Sequence, residues 1–347
     1  MAEPGAPGVL CIMGRRWDRR SSETAFVLRA LAGAASRQRP VRVLCPGAPG
    51  PARPDGAFDV RPVGAGLDPG TWPSPGQASW PAGPGPSIVL VEPGDRAALA
   101  VARTAAPDAV VLELVASIGG PDAEATEADA GLAVTSWAAR AAHARGLDPA
   151  AVFEVGLHVP VNGLAAEHRH NGIGVEDYLL VLSDRAGAET TPVAAWLAAR
   201  FPRETVVVVQ DAVASVFLGR ALRGRIAVDT RTDLWRFMAH ARVTVDLRPG
   251  RLVARECVES LRFATPVVVP VGTVGAEHAE AGGGRTYRSL VELFDQLADL
   301  ADPRRRADLA RSGRAVADER YGDAGAFTAR VAAALSRVDE LTRDRRR

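Results

Sequence analysis

At 347 residues the chain is long enough for two ordinary domains, and with 47% apolar and 24% charged residues it is globular rather than disordered. A formal net charge of +1 gives no bulk attraction to nucleic acid or an anionic membrane. All 42 basic residues are arginines, so any phosphate clamp must be built from guanidinium groups, and no Schiff-base or general-base lysine exists.

Taken in chain order, the apolar run Val9 to Met13 ends in Gly14 and reads as a strand. A polar loop with Arg15, Arg16, Arg19 and Arg20 follows. Ser21 and Ser22 are N-cap candidates for a helix through about Arg37, and Val41 to Leu44 is the next strand. This strand–helix–strand opening is of the doubly wound type. Residues 46–86 are rich in Pro and Gly, show no periodicity, and are expected to form a long irregular insertion. Ile88–Val91, a helix near 95–105, Ala109–Leu114, Leu132–Thr135, a helix from Ser136 and Val152–Val155 complete a first domain over 1–155.

A turn-rich linker, 156–176, leads to more regular alternation. Strand Tyr178–Ser183 precedes a helix capped by Thr191 with Pro192 at its first position. Then come strand Val206–Val209, a helix at 211–219, strand Ile226–Val228, a helix at 232–241, strand Val243–Leu247, a helix at 254–263 and strand Pro266–Pro270. Repeated β-then-α units imply a parallel sheet. Leu290, Leu293, Phe294, Leu297 and Leu300 keep helical spacing, Asp302–Pro303 opens another helix, and a last helix begins near Ala324. The expected second domain is 177–325, with 326–347 a C-terminal helix and basic tail able to pack back on the first domain.

Cys11, Cys45 and Cys257 lack metal-like spacing and read as buried thiols of a reducing compartment. The N-terminus lacks signal-peptide order and no apolar run reaches membrane-spanning length, so the expectation is a cytoplasmic protein without a transmembrane segment. His168 and His170 flank Arg169 without a third ligand, so no metal site is expected. Gly282–Gly284 neither follows the first strand nor opens a helix with Lys, so it reads as a glycine-rich turn rather than a phosphate loop.

The most informative stretch is Val243 to Pro270, VTVDLRPGRLVARECVESLRFATPVVVP. A strand, a Pro-Gly turn and a helix from Ala254 place a helix N-terminus at the carboxyl edge of a sheet, where backbone N–H groups and the dipole favour a diphosphate. Glu259 is spaced to accept hydrogen bonds from a ribose diol. It is spaced equally well for an i,i+4 pair with Arg255 on a solvated face, with Arg262 three residues on.

This stretch resembles the signature of the large retaining GT-B glycosyltransferase group, E-x-F-G-x-x-x-x-E-A-x-A-x-G-x-P-V-V. Glu259 matches the second glutamate, and Pro266-Val267-Val268 matches P-V-V at the right spacing. Tyr178–Arg185, Thr230–Leu247, residues 302–321 and Thr135–Asn162 resemble further family passages, so the likeness spans roughly residues 130–341. The resemblance implies GT-B architecture: an α/β protein of two Rossmann-like doubly wound domains facing an interdomain cleft. It implies a hexosyltransferase-like enzyme that moves sugar from a UDP-, GDP- or ADP-sugar to a glycan, lipid or small-molecule acceptor, with retention and with no cofactor or metal. Glu259 would bind the ribose, the amides around Arg255 and Glu256 the diphosphate, and Arg185 would contact a phosphate. Gly250 and Gly14 lie at the turns expected to approach the donor.

The departures are specific. The first signature glutamate aligns with Arg251, and the glycine three residues later is Ala254. The family's Arg-x4-Lys pair lacks its lysine, and Ala186–Thr191 offers no second cation. No equivalent of the acceptor-side histidine occurs in Ala109–Gly120, where Glu113 is the nearest polar residue. An Arg185–Arg251 clamp would supply the missing cation and stabilise the negative charge building on the leaving diphosphate. The alternatives are a GT-B protein that binds a nucleotide sugar or a protein partner without turnover, and a nucleotide-sugar epimerase, which needs paired acid/base carboxylates.

Overall fold

The computed structural model describes residues 8–15, 17, 22–46, 53–55, 58–63, 71–74, 85–115, 127–163, 177–183, 196–197, 199–210, 213–218, 221–248 and 252–345. The chain divides into two compact units, Met1–His158 with Ala324–Arg347, and Val159–Asp323.

The first unit holds β1 (Val9–Met13), α1 (Glu23–Ala35), β2 (Val41–Pro46), β3 (Arg53–Asp55), β4 (Phe58–Val63) and β5 (Pro86–Val91). α2 (Arg96–Ala105), β6 (Val110–Val115), β7 (Ala130–Ala133), α3 (Ser136–Ala144) and β8 (Val152–Glu154) follow. Its sheet runs β3-β4-β2-β1-β5-β6-β7-β8. Strands β1, β5 and β6 are buried on both faces and read as near-continuous apolar runs, as parallel strands between helices must. The C-terminal helix of the chain belongs to this unit. Its Asp339 pairs with Arg39 at 2.7 Å, and Arg330 Nε donates to the Val155 carbonyl at 2.8 Å.

The insertion at 46–86 is not wholly irregular. β4 pairs in parallel with β2, β3 pairs antiparallel with β4, and Trp72 is buried in the core with Met13, Val89 and Leu99. The signal was the alternation in Phe58-Asp59-Val60-Arg61, which the surrounding prolines and glycines obscured.

The second unit contains β9 (Tyr178–Ser183), β10 (Thr205–Gln210), β11 (Val213–Leu218), β12 (Ala221–Ala227), α4 (Arg231–His240) and β13 (Ala241–Asp246). α5 (Arg255–Arg262), β14 (Val267–Pro270), α6 (Val274–His278), β15 (Gly284–Tyr287), α7 (Leu290–Asp299) and α8 (Pro303–Tyr321) complete it. The C-terminal helix of the first unit is then α9 (Ala324–Arg345).

Two expectations fail here. Residues 213–218 are a strand rather than part of a helix at 211–219, paired antiparallel with β10. Ala214 and Val216 are buried while Val213 is exposed and Ser215 and Phe217 are half-buried, the alternation of a strand with one face on the core. The sheet β12-β11-β10-β9-β13-β14-β15 is therefore mixed, parallel only from β10 through β15. In addition, Gly284 opens a strand that the glycine-rich reading left out; a Cβ there would sit 2.1 Å from the Val267 carbonyl of β14. The helix expected from Thr191 begins outside the described residues.

Candidate functional site

Strand β13 lies between β9 and β14, parallel to both, and ends on the buried Asp246. The chain then returns into α5, whose N-cap is Ala254 at φ 48°, ψ 55°, with no side-chain cap hydrogen bond. Alanine in this left-handed region costs about 1–2 kcal/mol relative to a right-handed step. A left-handed residue followed by the right-handed first turn of a helix turns successive amides toward one concavity, the geometry of an anion-binding nest. Ser260 Oγ and Thr244 Oγ1, 3.0 Å apart, tie α5 to β13 from beneath.

Around this turn three arginines meet three carboxylates. Arg248 folds back on Asp246, with Nε and Nη2 each at 2.7 Å, and reaches Glu256 at 3.1 Å. Burial pulls the Arg248 pKa down, but the carboxylates of Asp246 and Glu256 outweigh it and hold it well above the ordinary value. Arg231 is the first residue of α4, set there by a capping box between Thr230 and Asp233. It donates to Glu256 at 2.8 Å and, through Nε at 2.9 Å and through Nη2, to both oxygens of Glu259. Arg255 Nε adds a third bond to Glu259 at 2.8 Å. Cys257 Sγ lies 3.4 Å from Asp246, and burial pushes its thiol well up.

Glu259 is 0% exposed. The reading as a pair on a solvated face therefore needs amending. The pair with Arg255 exists, but in the interior rather than on a solvated face. Arg262 turns elsewhere, to Asp318 at 2.8 Å and the Val159 carbonyl at 2.5 Å. Three of roughly four acceptor directions on the Glu259 carboxylate are used, so a ribose diol must displace one guanidinium bond.

Glu256 and Arg255 stand in the first turn of α5, as their positions implied. Arg185, Gly250 and Arg251 lie outside the described residues, as do His168 and His170. Gly14 follows β1 in the first unit. Its N–H donates to the Leu44 carbonyl at 3.0 Å, and a Cβ there would come within 3.2 Å of Leu28 and 3.3 Å of Glu92. Arg15 pairs with Asp95 at 2.6 Å. Glu113 accepts from Arg145 at 3.0 Å and from the Gly94 amide at 3.1 Å, so the nearest polar residue to the expected histidine position is engaged in an ion pair. Arg231, 28 residues from Glu259 in the chain, had no local signal that would have found it.

No family model matches the sequence, and no curated protein matches it. Solved structures do. Anabaena HepE in complex with UDP-glucose superposes with a TM-score of 0.66 at 15% identity, covering 95% of this chain and 99% of that one. Sucrose-phosphate synthase from Thermosynechococcus elongatus gives 0.64 at 14% identity, covering 97% and 98%. UDP-N-acetylglucosamine 2-epimerase from Rickettsia bellii gives 0.61 at 13%, covering 97% and 98%. The chain has the GT-B fold. This fold carries both transferases and epimerases, so the chemistry has to be argued from the residues. No helix among the described residues is long and apolar enough to cross a membrane.

Proposed function

We propose that this GT-B protein binds a nucleotide sugar on its second unit and transfers the sugar to an acceptor, a glycan, lipid or small molecule, with retention and without a metal. The observation that carries this reading is the start of α5, where a left-handed N-cap without a side-chain cap hydrogen bond leads to the buried Glu259, the residue that would take the ribose diol. The diphosphate would lie against the first-turn amides of Ala254, Arg255 and Glu256. Departure of the diphosphate breaks the bond from the anomeric carbon to phosphate oxygen, the acceptor oxygen forms the new bond on the same face, and the acceptor's proton passes to the leaving group. Charge building on the diphosphate would be met by the helix amides and by Arg185 and Arg251, with Gly250 allowing close backbone approach. The neighbour solved with UDP-glucose supports this assignment of ligand class.

A second reading, binding without turnover, is favoured by two sequence facts: Arg251 stands where the family signature has glutamate, and there is no lysine. Calorimetric titration with UDP, GDP, ADP and their sugars, followed by a donor-hydrolysis assay, separates the two. One diphosphate should bind, its sugar should be hydrolysed slowly, and Glu259→Ala should weaken binding at least about tenfold, the loss of a charged hydrogen bond. Binding without hydrolysis or transfer selects the second reading. Affinity unchanged in Glu259→Ala removes the ribose assignment.

A further inference from the structure

Helix α6 ends on His278, a buried residue. His278 Nε2 lies 2.7 Å from the carbonyl oxygen of Val253, the residue immediately before the left-handed Ala254. A carbonyl only accepts, so Nε2 carries the proton and Nδ1 is the bare nitrogen. The Tyr321 hydroxyl, at the end of α8, stands 3.4 Å from Nδ1, and the two rings meet edge to face with centroids 5.3 Å apart. Tyr321 is itself anchored, since its own carbonyl accepts from the Val159 amide at 3.0 Å.

The consequence follows from peptide geometry. In a trans peptide the carbonyl of Val253 and the N–H of Ala254 point in opposite directions within one plane. Pinning the oxygen on the His278 side turns the Ala254 N–H away from it. The plane so fixed is the one about which the left-handed step is taken.

We propose that His278, held by Tyr321, is a positioning residue for the phosphate-binding turn, fixing the Val253–Ala254 peptide so that the first amides of α5 converge on the donor's diphosphate. This deepens the donor-site reading above and rests on it for the identity of the ligand. A neutral imidazole suits the task because it offers one donor and one acceptor in line, joining a loop carbonyl to a hydroxyl on another helix. A hydrophobic residue of the same size would pack but would leave the Val253 carbonyl free to rotate.

The test uses the full chain with His278→Ala, His278→Gln and Tyr321→Phe, read in two ways. Hydrogen exchange of the amides over 252–258 reports the turn itself, without any ligand. Calorimetry compares the nucleoside diphosphate that the wild type binds with the corresponding nucleoside, which lacks the phosphates. In His278→Ala exchange should rise over 254–257, and diphosphate affinity should fall about tenfold with nucleoside affinity unchanged. Tyr321→Phe should give a smaller shift of the same kind, and the amide N–H of His278→Gln should restore most of the loss. If His278→Ala does not fold, Tyr321→Phe and His278→Gln carry the comparison. Unchanged exchange in the variants overturns the proposal whatever the ligand does. An equal loss for nucleoside and diphosphate also overturns it, since that is what general loosening produces. Faster exchange at the turn in a chain that binds no nucleoside diphosphate overturns the donor-site reading and leaves the pinning of the peptide standing.

Discussion

The two sheets each send a strand into a helix at their carboxyl ends, and they close that junction in opposite ways. After β5 the chain enters α2 through Asp95, whose carboxylate accepts from the Ala98 amide at 3.0 Å, from Trp72 Nε1 at 2.8 Å and from Arg15 at 2.6 and 2.8 Å. Negative charge already sits on the helix N-terminus, so a second anion there is disfavoured. After β13 the chain enters α5 through Ala254, which has no side-chain oxygen to offer. The carboxylates nearby are drawn sideways instead, Glu256 to Arg231 and Arg248, and Glu259 to Arg231 and Arg255. The same topology is thus capped by its own carboxylate in one unit and left without a side-chain cap in the other. What decides is which residue stands at the N-cap and which arginines restrain the acids behind it.

The comparison is tested most severely by removing the restraint. Arg231→Ala leaves a fully buried Glu259 with one of its three bonds. Breaking a buried pair costs about 3–5 kcal/mol. The Arg231 side chain is 28% exposed and Arg255 remains, so a loss of about 2 kcal/mol is expected. Asp95→Ala removes a helix cap worth about 1 kcal/mol and also the bonds from Trp72 and Arg15, so its cost should reach about 2 kcal/mol. Denaturant midpoints of the two variants give the difference. If Arg231→Ala costs less than about 1 kcal/mol, the value of a helix cap alone, the cluster is not the restraint described here.

A gentler test is pH. Burial holds the His278 pKa below its ordinary 6.5, chiefly by desolvation, with Arg320 adding to the effect and the Val253 carbonyl and Glu277 opposing it. A depressed folded-state pKa means that the stability it represents is present above pH 6.5 and is lost as pH falls toward the folded value. One proton contributes a slope of at most about 1.4 kcal/mol per pH unit. Stability measured from pH 7 down to 5 should fall, and His278→Gln should flatten that part of the profile. An unchanged slope in the variant would assign the acid sensitivity to other groups.

Much of this was legible in the sequence, for identifiable reasons. The Leu290–Leu300 periodicity, the Asp302–Pro303 start and the apolar run Tyr178–Ser183 are local signals, and the elements formed there. Residues 213–218 were misread because Asp211-Ala212-Val213-Ala214 suits a crossover helix as well as a strand, and only the cross-strand partner decides. Glu259 stood out through its spacing within a motif. Arg231 and His278 did not, because each acts through a contact 25 to 28 residues away in the chain. A single sequence encodes which residues share a helix face, but not which strand end they will meet.

The smallest expected effect bears on the opening observation. Ala254→Gly relieves a left-handed strain of about 1–2 kcal/mol. Against this, glycine frees the unfolded chain by about 0.4–1 kcal/mol. Removing a methyl that is 2% exposed costs about 0.8 kcal/mol more. The terms nearly cancel, and the midpoint should move by less than about 0.5 kcal/mol. Near-neutrality is informative, because it means that the left-handed step is imposed by what surrounds residue 254 rather than chosen by its side chain. A stabilisation above about 1 kcal/mol would instead show strain that the surroundings fail to support. A loss of more than about 1.5 kcal/mol would make the methyl's packing the reason for alanine here, and the N-cap would then have to be read as a core position that happens to lack a polar side chain.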